Sequence, residues 1–226
     1  MLGIVFTGGK GPEPQRIRSL VKESAGDILM AAADSGLDAM KNAGLKPDWV
    51  IGDMDSISDP ECLTAYPEHR VLRYPTDKDH TDTELAFFLL KKKGCGDIWI
   101  IGGGGGRVDH LFGIRSLLER DSCPVRWFLD NADIFCIDAG NNAALNLSIE
   151  KNALVSVFPL VDGPWKATSR GLKWALDNLE WNRGFFGLSN ETPDGKFSIY
   201  AQQGRFMVIV PQTTHESGSK LPVSKE

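Results

Sequence analysis

The sequence predicts an α/β N-terminal domain, with a mostly parallel sheet flanked by helices, followed by a C-terminal all-β sandwich or barrel domain. Up to about residue 140, continuously apolar runs such as "DWVIGD" and "DIWIIGG" alternate with helical patterns. Strands without polar alternation are typical of parallel sheets whose two faces are covered, and strand–helix alternation is typical of α/β domains. After "DAGNNAALN" the runs become short and are separated by Gly, Asn, Pro and Asp, which favours a sandwich or barrel.

The elements of the first half follow from its apolar runs and helical patterns. The runs that we expect to be strands are "GIVFTGG", "DILMAAADSG", "DWVIGD", "RVLRYP", "DIWIIGG", "VRWFLD" and "IFCIDAG". The expected helices lie near residues 14–25, 36–43, 82–93 and 108–120. The third helix is the best specified, because Thr81 and Glu84 form a capping box at its start and Gly94 follows three lysines at its end.

The change of rhythm also indicates the domain limits. We expect an α/β domain over residues 1–140, a β-sandwich domain over residues 141–212 and a frayed polar tail over residues 213–226. The second half contains strand-like runs such as "LNLSI", "ALVSVFPL", "FSIYAQ" and "FMVIV", but no convincing long helix.

Composition and charge exclude several classes of function. The 226 residues carry a formal net charge of -5, so there is no basic footprint for nucleic acid or an anionic membrane. No apolar run approaches the length of a membrane span, and the N-terminal "MLGIVFTGGKGPEP" is typical of a first strand and not of a signal peptide. The cysteines are far apart without a CxxC pair, which predicts a cytoplasmic protein without a zinc site or disulfide framework.

Four of the predicted strands end in residues that carry chemistry. "MAAA" ends at Asp34, "WVI" ends at residues 52–56 (GDMDS), "VLRYP" ends at residues 76–82 (TDKDHTD), and "IWII" ends at a run of five glycines. In an open parallel sheet the carboxyl ends of the strands share one edge, and ligands bind in the crevice outside it. The sequence therefore predicts that these acidic residues converge in space.

Asp53 and Asp55 are candidate metal ligands. A single Asp here would be explained as a turn residue, but two acids at positions i and i+2 point the same way if the backbone stays extended. Like charges held together repel each other unless a cation lies between them. Because magnesium prefers one or two carboxylates together with phosphate oxygens, we expect a magnesium site here.

Asp79 and Asp82 flank the start of the third helix. Complementarity to the helix dipole would explain either acid alone, with a stabilisation of about 0.3–1 kcal/mol. Lys78, His80 and Thr81 lie beside them, and this density of polar groups favours a binding site.

The stretch "GGGGGRVDH" follows a strand and opens a helix. A floppy turn is one explanation. The alternative is an anion site, because glycines before a helix N-terminus let backbone N–H groups approach a phosphate closely and Arg107 adds a fixed positive charge. The spacing matches neither a dinucleotide fingerprint nor a P-loop. Acids, glycines, a Lys and an Arg together predict magnesium-assisted, nucleotide-dependent transfer or hydrolysis.

Five motifs in sequence order resemble the thiamine pyrophosphokinase family: "AADSG", "GDMDS", "PTDKDHTDTELA", "GGGGGRVDH" and, in the second half, "GLSNE". The resemblance covers nearly the whole chain. It implies a catalytic, nucleotide-binding first domain, a thiamine-binding second domain, and a homodimer whose active site lies between the catalytic domain of one subunit and the β domain of the other. The implied activity is transfer of pyrophosphate from ATP to the hydroxyethyl oxygen of thiamine, which gives thiamine diphosphate and AMP.

The resemblance also implies roles for individual residues. The implied catalytic residues are Asp53, Asp55, Asp79 and Asp82, and the implied ligands of Mg2+ are Asp53, Asp55 and Asp82. The implied ATP-binding residues are Asp34, Lys78, Thr81, Gly105, Arg107, Asp109 and His110, and the implied thiamine-binding residues are Ser189 and Asn190. The hydroxyl proton goes to Asp82 or Asp79. The candidates for stacking on the substrate rings are Trp165 and Trp181, and the third candidate is Trp174, which stands where the family often has Tyr.

Three other functions remain open. A pyrophosphokinase acting on a hydroxymethylpterin would keep the catalytic half and change the β half, and "GLSNE" favours thiamine over it. A non-catalytic nucleotide-binding regulator would be expected to lose acids that serve only the chemistry, and the whole set is present. A metal-dependent nucleotide hydrolase would not need a second substrate site of the kind that the β half suggests.

Overall fold

The computed structural model describes residues 1–24 and 26–212, and the chain divides into two units, Met1–Asp130 and Asn131–Glu226. The first unit contains one sheet and all four α-helices of the described residues, and the second unit contains strands alone.

Six strands, paired in parallel throughout, form the sheet of the first unit. They are β1 (Leu2–Phe6), β2 (Ile28–Ala33), β3 (Trp49–Gly52), β4 (Val71–Arg73), β5 (Asp97–Ile101) and β6 (Arg126–Phe128). Their order across the sheet is β6-β5-β1-β2-β3-β4. Strands β1, β3 and β5 are buried after their first residue, and β2 is buried over its second half, as their unbroken apolar sequence predicts. The predicted mostly parallel sheet with flanking helices is therefore confirmed.

Four helices connect these strands. They are α1 (Pro14–Glu23), α2 (Gly36–Asn42), α3 (Asp82–Lys92) and α4 (Val108–Leu117), and two short 3-10 helices cover Pro60–Ala65 and Glu68–Arg70. All four α-helices lie where the sequence predicts them, and the predicted capping box of α3 is present with both of its hydrogen bonds. Pro14 occupies the first turn of α1, where its fixed φ suits the helix and its missing N–H leaves no bond unmade.

The strand order reverses between β1 and β5. From β1 the chain adds β2, β3 and β4 on one side, and it then returns to add β5 and β6 on the other side. In such sheets a crevice opens beyond the carboxyl ends of the two strands where the order reverses. Here the residues that follow β1 and β5 are Thr7–Lys10 and Gly102–Gly106.

Seven strands form two antiparallel sheets in the second unit. They are β7 (Ala132–Asp138), β8 (Ala144–Ser148), β9 (Ala153–Leu160), β10 (Lys166–Arg170), β11 (Gly187–Thr192), β12 (Lys196–Gln203) and β13 (Arg205–Pro211). Strands β11-β9-β13-β7 pair in one sheet and β10-β12-β8 in the other. Residues of both sheets, among them Val157, Phe206 and Phe197, share one apolar core. The unit is thus a two-layer β structure.

Strand β7 belongs with the second unit. Its run "IFCIDAG" is predicted above to belong to the first half, whereas the strand pairs along its whole length with β13, from Asp138 opposite Arg205 to Ala132 opposite Pro211. The division between units accordingly falls after Asp130. The domain limits 1–140 and 141–212 stay predictions, and the predicted tail 213–226 lies outside the described residues.

None of the helices among residues 1–24 and 26–212 is both long enough and apolar enough to span a bilayer.

Gly36 allows α2 to start directly against β1. A Cβ atom at Gly36 would lie 2.2 Å from the carbonyl oxygen of Phe6 and 2.8 Å from the amide nitrogen of Thr7. Only a residue without a side chain permits this approach, and it places Asp34 and Ser35 tightly between β2 and the helix.

We therefore expect Gly36→Ala to destabilise the first unit by about 1–3 kcal/mol, because the new methyl group forces the backbone apart. Gly113→Ala is the matched control. Gly113 lies inside α4 with no atom near its hypothetical Cβ, so the change should stabilise the protein by up to about 1 kcal/mol. Urea unfolding would measure both, and a Gly36→Ala variant as stable as the parent protein would contradict the steric argument.

Candidate active site

Three carboxylates meet at the carboxyl edge of the parallel sheet. Asp34 follows β2, Asp53 follows β3, and Asp82 is the first residue of α3. Each offers one oxygen, and these oxygens lie within 4.8 Å of one another. All three residues are partly buried. The structure thus brings together three of the acids that the sequence places at strand ends.

Gly52 makes this meeting possible. A Cβ atom at this position would lie 3.2 Å from the Cβ of Asp34 and 3.2 Å from the Cγ of Asp82. Its φ of 148° lies in a region that side chains rarely adopt. The amide of Asp34 donates to the carbonyl of Ile51 at 2.8 Å, which fixes the turn at the end of β2 beside β3.

Lys78 lies against the carboxylate group. Its Nζ is 3.3 Å from Asp82 Oδ1 and 3.6 Å from Asp53 Oδ2, and the side chain is only 14% exposed. The same ammonium donates a hydrogen bond to the carbonyl of Pro75 at 3.0 Å. One positive charge against three carboxylates leaves a negative site when all three are ionised.

Two oxygens of the group have unused hydrogen-bonding capacity. Asp34 Oδ1 and Asp82 Oδ1 are buried and have no hydrogen-bond partner in the described part of the chain, although Lys78 is within ion-pair distance of the second. A buried carboxylate oxygen without a partner is unfavourable. Carboxylate oxygens are the ligands that magnesium prefers, so this group fits a hard divalent cation.

The net pKa shifts of Asp82 and Asp53 have opposite signs. Burial raises the pKa of Asp82, Lys78 lowers it, and the neighbouring carboxylates raise it again, so that the result is a rise. Burial also raises the pKa of Asp53. The Asp55 N–H, the Thr76 side chain and the Lys78 charge together outweigh burial, so the pKa of Asp53 lies below its ordinary value. The site pairs a carboxylate that ionises readily with one that resists ionisation.

Asp55 lies outside the three-carboxylate group. The sequence argument that Asp53 and Asp55 point the same way requires an extended backbone, and that premise is wrong because Met54 between them has a φ of 67°. Asp55 is exposed, its amide donates to Asp53 Oδ1 at 3.4 Å, and its own carboxylate accepts from the Ser56 hydroxyl at 2.8 Å. Asp34 takes the third place in the group instead.

Thr81 serves the start of α3. Its N–H and its hydroxyl donate to Glu84 Oε2 at 2.8 and 2.9 Å, and its hydroxyl accepts from the Glu84 amide. Both polar groups of the predicted ATP-binding Thr81 are therefore engaged in the capping box. Asp79 is exposed beside it and is not one of the three grouped carboxylates.

Two contacts that fix α3 are not predicted from the sequence. Thr83 and Thr7 share a buried hydrogen bond of 2.6 Å between their hydroxyls, which joins the start of α3 to the end of β1. Glu84 also accepts from Arg120, beyond the end of α4. Both contacts link residues far apart in sequence, and no local pattern indicates them.

The glycine-rich loop uses much of its backbone internally. The amides of Gly102, Gly103 and Gly104 donate to the carbonyls of Phe128, Gly8 and Lys10. These three N–H groups do not form the open anion cradle that the sequence suggests. Gly105 and Gly106 are the exposed members of the loop.

Arg107, Asp109 and His110 are exposed at the start of α4. Arg107 Nε donates to Asp109 Oδ1 at 3.1 Å, and the second guanidinium nitrogen donates to Oδ2. This pair lowers the pKa of Asp109 and raises that of Arg107. Exposed pairs of this kind are weak, so Arg107 can exchange its partner for a ligand.

In the second unit, Asn190 is buried and its side chain is occupied. Its Oδ1 accepts from the amides of Trp174 at 3.1 Å and Glu191 at 2.9 Å, and its Nδ2 donates to the carbonyl of Trp174 at 2.6 Å. The preceding Ser189 is exposed, with a φ of 57°. Its amide donates to the Ser156 hydroxyl.

The tryptophans of the second unit differ sharply in exposure. Trp181 is 8% exposed within the apolar core, and Trp165 packs on that core while its Nε1 donates to Leu160. The ring of Trp181 is therefore not free for stacking, whereas the partly exposed Trp165 stays a prediction. Trp174 is 53% exposed, and the ammonium of Lys173 lies 4.6 Å from its ring centre.

Comparison with known proteins identifies the family. A family model described as "Thiamin pyrophosphokinase, catalytic domain" matches residues 21–127. The thiamine pyrophosphokinase of Bacillus subtilis (strain 168) is 31% identical over 192 residues, which is 80% of this chain and 86% of that protein. The chain belongs to the thiamine pyrophosphokinase family. The family resemblance of its motifs is thereby confirmed, and the protein is an enzyme of this family.

Solved structures of family members share the fold. The Bacillus subtilis thiamine pyrophosphokinase superposes with a TM-score of 0.75 at 25% identity, covering 94% of this chain and 99% of that one. The Candida albicans thiamin pyrophosphokinase gives 0.69 at 16% identity, covering 93% and 88%. The family model spans Asp34, Asp53 and Asp82 and ends before the second unit, so the match supports the catalytic part more directly than the β part.

The two shifted carboxylates should respond oppositely to removal of their charge. The raised pKa of Asp82 means that its contribution to stability is full below the ordinary aspartate pKa and is lost as pH rises through the raised value. Asp82→Asn should therefore raise Tm at neutral pH. The lowered pKa of Asp53 means that its contribution is present above the ordinary pKa and is lost in acid, so Asp53→Asn should lower Tm at neutral pH.

Thermal melts in chelator at neutral and acidic pH would measure both effects, at about 2–4 °C for each kcal/mol. The difference from the parent protein should shrink in acid for both variants. Shifts of the same sign at neutral pH would contradict the opposite environments of the two carboxylates.

Proposed function

We propose that the protein transfers pyrophosphate from ATP to the hydroxyethyl oxygen of thiamine, with Mg2+, to give thiamine diphosphate and AMP. The observation that carries the proposal is the three-carboxylate group in a member of this family. Two of its oxygens are buried without hydrogen-bond partners, and Lys78 lies beside it. Such a site suits the charged phosphates of a nucleotide held with a divalent cation.

Asp34, Asp53 and Asp82 are the proposed ligands of Mg2+. Asp53 and Asp82 agree with the roles that the family resemblance implies, and Asp34 joins them from its place after β2. Asp55 accepts a hydrogen bond from Ser56. We propose that it acts as a metal ligand either through a water molecule or after the loop rearranges. When bound, the ion would neutralise negative charge on phosphate oxygens.

Positive groups of the chain hold and orient the triphosphate. Lys78 is a point charge fixed between two carboxylates and a carbonyl, so it is held in place before the substrate arrives. Arg107 is 72% exposed and paired with Asp109, and a phosphate can replace that carboxylate. His110 and the exposed Gly105 complete the proposed contacts at the start of α4.

The chain needs only a modest proton acceptor for this reaction. The transition state of phosphoryl transfer is loose, so positioning and charge neutralisation matter more than a strong base. Asp82 and Asp79 both remain candidates. Asp82 is grouped with the other carboxylates and has a raised pKa, while Asp79 is exposed.

Trp174 is the proposed aromatic contact for thiamine, and the exposed Ser189 of the "GLSNE" segment is a second proposed contact. The indole is exposed and its backbone is held on both sides by Asn190. Because every hydrogen bond recorded for the Asn190 side chain goes to the backbone, we assign Asn190 to positioning Trp174. A fixed, exposed aromatic ring can stack on a flat heterocycle without first losing conformational freedom.

A homodimer in the cytoplasm, with an active site shared between subunits, stays a prediction from the family resemblance.

Product analysis tests the proposed reaction. The purified protein with ATP, Mg2+ and thiamine should form AMP and thiamine diphosphate in equal amounts, resolved by chromatography. Asp53→Asn should lose turnover while keeping a cooperative unfolding transition. ADP as product would contradict pyrophosphoryl transfer, AMP formed only with a hydroxymethylpterin would reassign the acceptor, and a fully active Asp53→Asn variant would contradict the metal site.

A double-mutant cycle tests the role of Asn190. Asn190→Ala should raise the KM for thiamine by about tenfold, since loosening the backbone of Trp174 loses roughly the 1.4 kcal/mol of one or two hydrogen bonds. The KM for ATP should not change. In a Trp174→Ala background the same substitution should add little, because coupled residues are not additive. An undiminished effect in that background would mean that Asn190 contacts the substrate directly.

A further inference from the structure

A cavity of about 360 Å³ lies on the three-stranded sheet β10-β12-β8, and Leu147, Phe197 and Gly171 contribute to its lining together with polar residues. This is the lower end of the range for small-molecule sites. The polar residues that line it are Arg170, Lys196, Ser148, Ser198 and Asn146. The cavity lies within the second unit and shares none of the residues assigned above to ATP, magnesium or thiamine.

Strand register places these side chains on one face. Arg170 pairs with Ser198, and Ser198 pairs with Asn146, so the three form a row across the sheet. Lys196 pairs with Ser148 to form a second row, two residues along. Side chains two residues apart share a face, so both rows point to the same side.

The alternate residues confirm which side this is. Phe197 and Ile199 of β12 and Leu147 of β8 are buried in the apolar core, so the polar rows face away from it. The rows are therefore presented to solvent by strands whose other face is firmly anchored.

A backbone contact brings the two cationic residues together. A Cβ atom at Gly171 would lie 2.0 Å from the carbonyl oxygen of Lys196, and Gly171 has a φ of 75°. The chain leaving Arg170 therefore passes directly over the backbone at Lys196. Only glycine permits this crossing, and it fixes both basic residues in one wall of the cavity.

The charge of the cavity is uncompensated. No carboxylate lines it, and neither Arg170 nor Lys196 has an ion-pair partner in the described part of the chain. Three other cations of the unit have carboxylate partners, namely Lys173, Arg183 and Arg205. In a protein of net charge -5, two adjacent unpaired cations flanked by hydroxyl and amide donors are complementary to an anion.

We propose that this cavity binds a small phosphate-bearing anion, with Arg170 and Lys196 as charge partners and Ser148, Ser198 and Asn146 as hydrogen-bond donors. Phosphate oxygens accept several hydrogen bonds at once, and a guanidinium offers two parallel donors to them. The proposal stands on the second unit alone and does not depend on the reaction proposed above.

Amide NMR on the full-length, isotope-labelled protein tests the proposal. Inorganic phosphate and glycerol phosphate are titrated separately, in chelator so that no magnesium is present. The amides of Gly171 and Ser198 should shift in a saturable way. Tighter binding of glycerol phosphate would identify a phosphomonoester as the ligand, and equal binding would identify the inorganic ion. No saturable shift of these amides with either probe would overturn the proposal.

Charge variants make the test specific. Arg170→Gln combined with Lys196→Gln should weaken binding by about tenfold or more, because charge-assisted hydrogen bonds are lost. Lys151→Gln combined with Arg183→Gln removes the same charge elsewhere in the unit and should leave the affinity unchanged. If both double variants weakened phosphate binding equally, the effect would come from the net charge of the protein, and the proposed site would be overturned. The single Lys196→Gln variant, at an exposed position, serves if the first pair does not fold.

Discussion

Repulsion among the carboxylates of Asp34, Asp53 and Asp82 is the constraint on which the first unit depends. Their oxygens lie within 4.8 Å of one another, a separation that a flexible loop would relax. Two buried parallel strands and the first residue of a capped helix prevent that relaxation, because moving any of them would disturb apolar packing. The unit thus holds Asp82 where its negative charge is disfavoured, and Lys78 offsets part of that cost.

In the second unit, the proposed thiamine contact is positioned by hydrogen bonds more than by charge. Asn190 is buried, and its amide group satisfies the backbone of Trp174 on two sides. A buried amide whose partners are all made is both stable and geometrically specific. The aromatic ring is therefore exposed on a segment whose backbone is held, which suits recognition of a flat substrate. Each unit fixes its own site through contacts made within that unit.

Local patterns allowed the sequence to predict much of this structure. Unbroken apolar runs indicated the parallel strands, and Thr81 with Glu84 indicated the start of α3. The rule that strand ends share an edge brought Asp34, Asp53 and Asp82 together. The side-chain direction of Asp55 depended on the positive φ of Met54, which no pattern reveals. The burial of Trp181 and the hydrogen bond between the hydroxyls of Thr7 and Thr83 depend on residues far apart in sequence, so the local hydrophobic pattern does not predict them.

The glycine-rich loop between β5 and α4 is held more firmly than its composition suggests. Glycine runs are often regarded as hinges, yet the amides of Gly102, Gly103 and Gly104 are hydrogen-bonded to two other segments, the end of β6 and the loop that follows β1. These three glycines are therefore held in place, and their composition serves close backbone packing. Gly105, Gly106 and Arg107, at the exposed end of the loop, are the part that remains able to adjust. If the loop holds phosphates as proposed above, evolution of a different donor preference would act on this exposed end, while the three bonded glycines would be constrained by packing alone.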